Sequence, residues 1–183
     1  MNEPANNKSN IVLIGMPGSG KSTIGIILAK QTSRGFIDTD LLIQSSEGRP
    51  LQEIVDRDGY MELRRIEERI LLGIQCREHV IATGGSAVYS RPAMERLAED
   101  GAIVFLDVDL ATLHNRVTDF ATRGLAKRPE QSFADLYEER VALYRKYADI
   151  TIDCSRLTHE ESCAEIIACL PVRTIVRRNE VNK

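Results

Sequence analysis

Apolar positions along the chain follow two alternating patterns. Short runs at Ile11-Val12-Leu13-Ile14, Val80-Ile81-Ala82-Thr83, Ala102-Ile103-Val104-Phe105-Leu106 and Ile150-Thr151-Ile152 read as buried strands. Phe36-Ile37-Asp38 reads as another buried strand, ending in acids. Between the runs, apolar residues recur every three or four positions, which predicts helices over about 21–32, 41–47, 51–58, 60–75, 92–99, 110–117, 132–147 and 160–170. The clearest is 60–75, where Leu63, Ile66, Ile70 and Ile74 keep helical spacing. Punctuation agrees with the pattern. Gly48 and Pro50 close one helix, Pro92 opens another that Gly101 follows, and Ser132 is placed as a cap. Residues 118–131 are polar, lack an apolar period and contain Gly124, so they read as a loop.

Strands alternating with helices imply an α/β sandwich around a mostly parallel sheet. Such sheets bind ligands beyond the carboxyl ends of their strands, so chemistry is expected after Ile14, Ile37, Thr83 and Ile152. The 183 residues suffice for one compact domain and show no internal repeat. We expect a disordered polar lead-in over 1–10 without a signal-peptide core, a single domain over 11–170, and a tail over 171–183. Within that tail Thr174-Ile175-Val176 reads equally as a short strand or as disorder.

Composition removes some function classes. A hydrophobic share of 43% and a charged share of 28% are ordinary for a globular protein. The net charge of −3 gives no reason to expect nucleic acid or an anionic membrane as partner, and no run is long and apolar enough to span a bilayer. With 5% aromatics and no Trp, base-stacking platforms are not expected. Any anionic ligand must therefore be met by local positive charge. Cys76, Cys154, Cys163 and Cys169 have no metal-site spacing and read as reduced thiols in a cytoplasmic protein. The three histidines are scattered and suggest no site.

One stretch changes the picture. Gly15-Met16-Pro17-Gly18-Ser19-Gly20-Lys21-Ser22-Thr23 follows the first strand and opens the first helix, the G-x-x-x-x-G-K-[ST] phosphate-binding pattern in its proper setting. Glycines let consecutive N–H groups line one concavity, and the helix adds its free N–H groups and positive dipole end. Gly18, Ser19, Gly20, Lys21, Ser22 and Thr23 are thus candidate nucleotide-binding residues. Lys21 supplies charge to the β- and γ-phosphates, and Ser22 is placed to ligate magnesium.

Other residues could complete a site. Asp38-Thr39-Asp40 ends the second strand; alone it is a solvated acidic turn, but beside a phosphate loop its two acids suit a metal shell and an acceptor hydroxyl. Gly84 and Gly85 would admit close backbone approach to a ligand. Arg64 and Glu67, one helical turn apart, read either as a surface ion-pair ladder or as an arginine aimed at an anionic substrate. Arg145 alone reads as a solvated charge. Arg123, Lys127 and Arg128 crowd the polar loop, which could act as a mobile lid over about 118–131.

The order of these motifs resembles the shikimate kinase family, within the nucleoside monophosphate kinase-like P-loop proteins, from about Asn10 to Leu170. The resemblance rests on the phosphate loop, D-x-D after the second strand, R-x-x-E on a helix, T-G-G, a basic lid with Arg-Pro, and L-Y-R on the next helix. It implies a three-layer sandwich around a five-stranded parallel sheet in the order 2-3-1-4-5. It implies ATP and Mg2+, with phosphoryl transfer to a hydroxyl of shikimate in the route to chorismate and aromatic amino acids, by a monomer. Asp38 falls on the position near the metal and Asp40 on the base that meets the acceptor hydroxyl. Arg64, held by Glu67, and Arg145 fall on the arginines that bind the acceptor carboxylate, and Gly84 and Gly85 on the substrate-side backbone. Arg128 matches the catalytic lid arginine; Arg116 and Arg156 match nucleotide-side arginines.

Four positions depart from the family pattern. Ser86 stands where a third glycine is usual, Leu63 where Phe is usual, Arg64 is followed by a second arginine, Arg65, and the lid is longer, with Glu130-Gln131 after Arg128-Pro129. All four fall on the acceptor and lid side. They keep open a kinase of the same fold acting on another small hydroxy acid or polyol, such as homoserine or gluconate. A non-catalytic nucleotide-binding protein is the reading from a different class.

Overall fold

The computed structural model describes residues 8–116 and 124–171. Its strands are β1 (Asn10–Ile14), β2 (Gly35–Asp38), β3 (His79–Ala82), β4 (Gly101–Asp107) and β5 (Ile150–Asp153). The helices are α1 (Lys21–Gln31), α2 (Thr39–Glu47), α3 (Leu51–Asp58), α4 (Tyr60–Gly73), α5 (Arg91–Asp100), α6 (Leu110–Arg116), α7 (Phe133–Tyr147) and α8 (His159–Cys169). The elements follow the apolar pattern to within two residues, apart from a short 3-10 turn at Ala87–Tyr89, too short to show a period. The proposed strand at Thr174-Ile175-Val176, the lead-in at 1–7 and the lid stretch 117–123 lie outside the described residues.

All five strands are parallel, in the order β2-β3-β1-β4-β5. β1 lies in the middle, with Ile11 facing Val80 on β3 and Ala102 on β4. Its four apolar residues are fully buried, as expected for a central strand covered on both faces. β2 differs from the sequence reading: it is the edge strand, and Phe36, Ile37 and Asp38 are only half-buried because one side has no neighbour.

Two apolar clusters result. The larger joins the sheet to α1, α5, α7 and α8 and includes Leu28, Leu97, Tyr144 and Ile166. Tyr144 is fully buried and stacks on Phe105, with ring centroids 5.1 Å apart. Its hydroxyl needs a partner there and donates to Gly85 O at 2.6 Å. The smaller cluster joins Ile43 of α2, Ile54 of α3, Leu63 and Ile66 of α4, and Ala126. It forms a separate buttress beside the strand ends.

Candidate active site

The phosphate loop is built mainly from backbone. Gly15, Gly18 and Gly20 hold φ values of 150°, 86° and 97°, which side chains with a Cβ rarely adopt. Gly20 caps α1 without a side-chain hydrogen bond, so the helix opens with free N–H groups. Those groups and the helix dipole make an anion seat. Lys21 is buried and its Nζ donates to Gly15 O and Met16 O, both at 2.9 Å. Burial lowers its pKa to about 8, against the pull of Asp40. The loop opens into a cavity of about 370 Å³ lined by Gly18, Gly20, Lys21, Ser22 and Thr23.

The opposite wall carries acids. Thr39 Oγ1 accepts from Gly84 N at 2.9 Å, tying the end of β2 to the end of β3. Asp38 Oδ1 accepts from the N–H groups of Asp40 and Leu41 and caps α2. Asp40 lines the cavity, and burial raises its pKa, which suits a proton acceptor. A side chain at Gly84 would collide with Glu67 Oε1 and press on Asp40 Oδ1, so a glycine here lets two carboxyls meet the same backbone. A Cβ at Gly85 would stand 2.8 Å from Arg140 Nη1 and 3.0 Å from Pro17, so this glycine admits a phosphate-loop residue and an arginine together. Glu67 is buried, its pKa is pushed up to about 7 by that burial, and Ser86 Oγ donates to its Oε2. The implied partnership of Glu67 with Arg64 is therefore replaced by one with Ser86. Ser86 itself sits at φ −98°, ψ 0°, a conformation any residue adopts, so the loss of a third glycine carries no backbone strain.

Two arginines converge at the cavity wall: Arg140 lines the main cavity, whereas Arg64 lines a neighbouring one of about 280 Å³. Arg64 lies over the Tyr89 ring at 3.6 Å, and its Nη2 donates to Ala126 O at 3.1 Å. Arg140, on α7, donates Nη2 to the same oxygen at 2.9 Å and is almost fully buried. The Nε atoms of both are buried without a hydrogen-bond partner among the described residues. Arg65 is largely exposed and pairs with Glu62 at 3.1 Å, which fixes Arg64 as the inward-facing one.

Arg145 is corrected. Its side chain is 63% exposed and pairs with Asp107 at 3.2 Å, away from the cavity. α7 turns Arg140 and Tyr144 inward, and a residue one position beyond Tyr144 points about 100° away. The inward arginine thus precedes Leu143-Tyr144 and does not follow it. Sequence reasoning passed over Arg140; helical spacing from buried Tyr144, four residues back, was the available signal. Arg128 is also outside the cavity lining: its Nη2 pairs with Glu139 Oε2 at 2.9 Å. Arg116 donates to Cys154 O at 3.1 Å, and Arg156 is exposed near Asp153; both lie by the end of β5 and outside the cavity lining. His159, dismissed as scattered, stands against the phosphate loop, with Nε2 3.5 Å from where a Gly20 Cβ would be.

A phosphate seat on a central parallel strand, facing a buried carboxyl and paired guanidiniums, defines a P-loop kinase of small molecules. Comparison with known proteins is consistent with that class. The shikimate kinase family model matches residues 17–171. A shikimate kinase of Mycobacterium avium is 38% identical over 169 residues, covering 91% of this chain and 96% of that protein. The structure of a shikimate kinase from Acinetobacter baumannii in complex with shikimate superposes with a TM-score of 0.79 at 30% identity, over 87% of this chain and 90% of that one. One from Aquifex aeolicus gives 0.75 at 33% identity, over 87% and 94%. The chain belongs to the shikimate kinase family.

Proposed function

We propose that this enzyme transfers the γ-phosphoryl group of ATP to a hydroxyl of shikimate, giving shikimate 3-phosphate. The observation that carries the acceptor is the convergence of Arg64 and Arg140 on one carbonyl oxygen, with a buried free Nε on each. Two planar donors so placed suit the oxygens of a carboxylate. The Acinetobacter baumannii relative was solved with shikimate, a carboxylate-bearing polyol, bound.

The residues then divide the work. The N–H groups at the start of α1 and the Lys21 ammonium hold the phosphates in line. Gly84 brings the acceptor against Asp40, which takes the hydroxyl proton as the oxygen attacks phosphorus. Magnesium fits the donor set: Ser22 lines the phosphate seat, and the Asp38 carboxylate, outside that lining with Oδ1 capping α2, lies close enough to Lys21 to pull its pKa up against the lowering by burial. When bound, it neutralises charge on the phosphate oxygens.

A coupled ADP-release assay with Mg-ATP tests this, with shikimate, homoserine, gluconate and AMP as acceptors. Saturable turnover with shikimate alone is expected. Preference for any other acceptor would overturn the substrate assignment while leaving phosphoryl transfer in place.

A further inference from the structure

Arg64 and Arg140 both end at the Ala126 carbonyl, so two positive charges are held close together. Burial, and then the charge of Arg140, lower the pKa of Arg64. What lies against both is an aromatic ring. The Arg64 guanidinium carbon stands 3.6 Å from the centre of the Tyr89 ring, and that of Arg140 stands 5.4 Å from it. The negative face of such a ring attracts a cation, most strongly where water is excluded. Tyr60 offers Arg64 a second ring at 5.2 Å.

Tyr89 is itself held at both ends. It closes the 3-10 turn Ala87–Tyr89, and its N–H donates to Ser86 O at 3.0 Å. Its hydroxyl donates to Glu139 Oε1 at 2.6 Å. Glu139 Oε2 accepts from Arg128 Nη2 at 2.9 Å and from Gln131 Nε2 at 2.7 Å. One carboxylate on α7 thus ties the ring to the segment that follows Ala126. A phenol that donates to a carboxylate also carries more negative charge on its ring.

We propose that Tyr89 is a positioning residue: its ring, tethered to Glu139, is the platform that fixes the Arg64 guanidinium and offsets its repulsion by Arg140, so that both arginines stand ready for the carboxylate of the acceptor. Tyr89 lines the neighbouring cavity and not the main one, so it acts on the acceptor through the arginines and leaves the phosphate seat alone. Arg128 and Gln131, in the stretch that departs from the family pattern, brace the same platform through Glu139.

The platform rests on the acceptor reading above, and a measurement without substrate separates the two. The first experiment compares Tyr89→Leu, Tyr89→Phe and Glu139→Ala with wild type in steady-state turnover of shikimate and ATP. Tyr89→Leu is expected to raise the shikimate KM about tenfold, and Tyr89→Phe and Glu139→Ala about threefold, with kcat and the ATP KM within about twofold throughout. The second records the Arg64 Nε–H signal by 15N NMR in the ligand-free protein, assigned by its loss in Arg64→Lys. The ring current of Tyr89 shifts that proton upfield, so Tyr89→Leu should move the signal downfield and Tyr89→Phe should leave it near its place. An unchanged shikimate KM in active Tyr89→Leu, both KM values rising together, or a signal that Tyr89→Leu does not move would each overturn the platform. Should Tyr89→Leu fail to fold, a shikimate KM unchanged in both Tyr89→Phe and Glu139→Ala would overturn it equally. A signal that moves as expected, in an enzyme that turns over a different carboxylate acceptor, would support the platform and overturn the substrate.

Discussion

The two sides of the cavity are made in different ways. The donor side is one continuous segment, Gly15 to Thr23, whose backbone geometry follows from glycines at fixed offsets and from a helix that starts without a side-chain cap. The acceptor side is assembled from Asp40 on α2, Arg64 and Glu67 on α4, Gly84 to Ser86 after β3, Ala126, and Arg140 on α7. Each contributes a side chain or a single carbonyl, and each is held by different neighbours. A local motif can specify the first kind of site alone. The second exists only after the smaller apolar cluster has brought α2, α3, α4 and Ala126 together. Substrate choice can therefore change on one side while nucleotide chemistry is kept on the other.

Substitutions at the seam between the two sides should have the largest effect. Asp40→Asn removes the proposed proton acceptor and leaves the backbone of the phosphate seat in place. We expect kcat to fall by about 10²- to 10⁴-fold, with the ATP KM within about threefold of wild type. An unchanged kcat in steady-state assays would remove Asp40 as the base. Next come the two arginines of α7. Arg140→Ala should raise the acceptor KM by about 10- to 100-fold, because it removes charge-assisted hydrogen bonds in a buried site. Arg145→Ala should change it by less than about twofold, since that side chain faces Asp107 in solvent. The reverse ranking would break the division of α7 drawn here.

The smallest effect sharpens the electrostatic contrast. Glu67 keeps its proton up to about pH 7 in the folded chain, whereas it ionises near its ordinary 4.5 when unfolded. Between those values the folded state binds the proton that the unfolded state has lost, so this residue lowers stability as pH rises from about 4.5 to 7. Glu67→Gln should remove that slope. The drop in Tm between pH 5 and pH 7.5 should shrink by about several degrees in thermal melts. An identical drop in both proteins would show that the buried carboxyl does not hold the proton.

Legibility in the sequence follows the same division. The strands and helices could be read because parallel strands covered on both faces are continuous apolar runs and helices keep their period. β2 was misjudged as buried because apolar content does not tell an edge strand from a central one. The phosphate loop could be read because its spacing encodes its shape. Arg145 was preferred to Arg140 because a tripeptide likeness carries no direction, whereas the helix turns by a fixed angle at each residue. The exchange of Arg64 for Ser86 as the partner of Glu67 could not be read at all. It depends on the distance between α4 and the loop after β3, which no local pattern holds.

The oxygen of Ala126 accepts from both Arg64 and Arg140. It therefore occupies donors that an entering carboxylate also seeks, and the two cannot be filled independently. Whatever free energy the ligand gains or loses by taking those N–H groups is returned in equal measure to the segment carrying Ala126. The coupling between acceptor binding and the anchoring of that segment is thus one thermodynamic quantity seen from two ends, and a change in the chain near residue 126 will be felt as a change in taste for substrate.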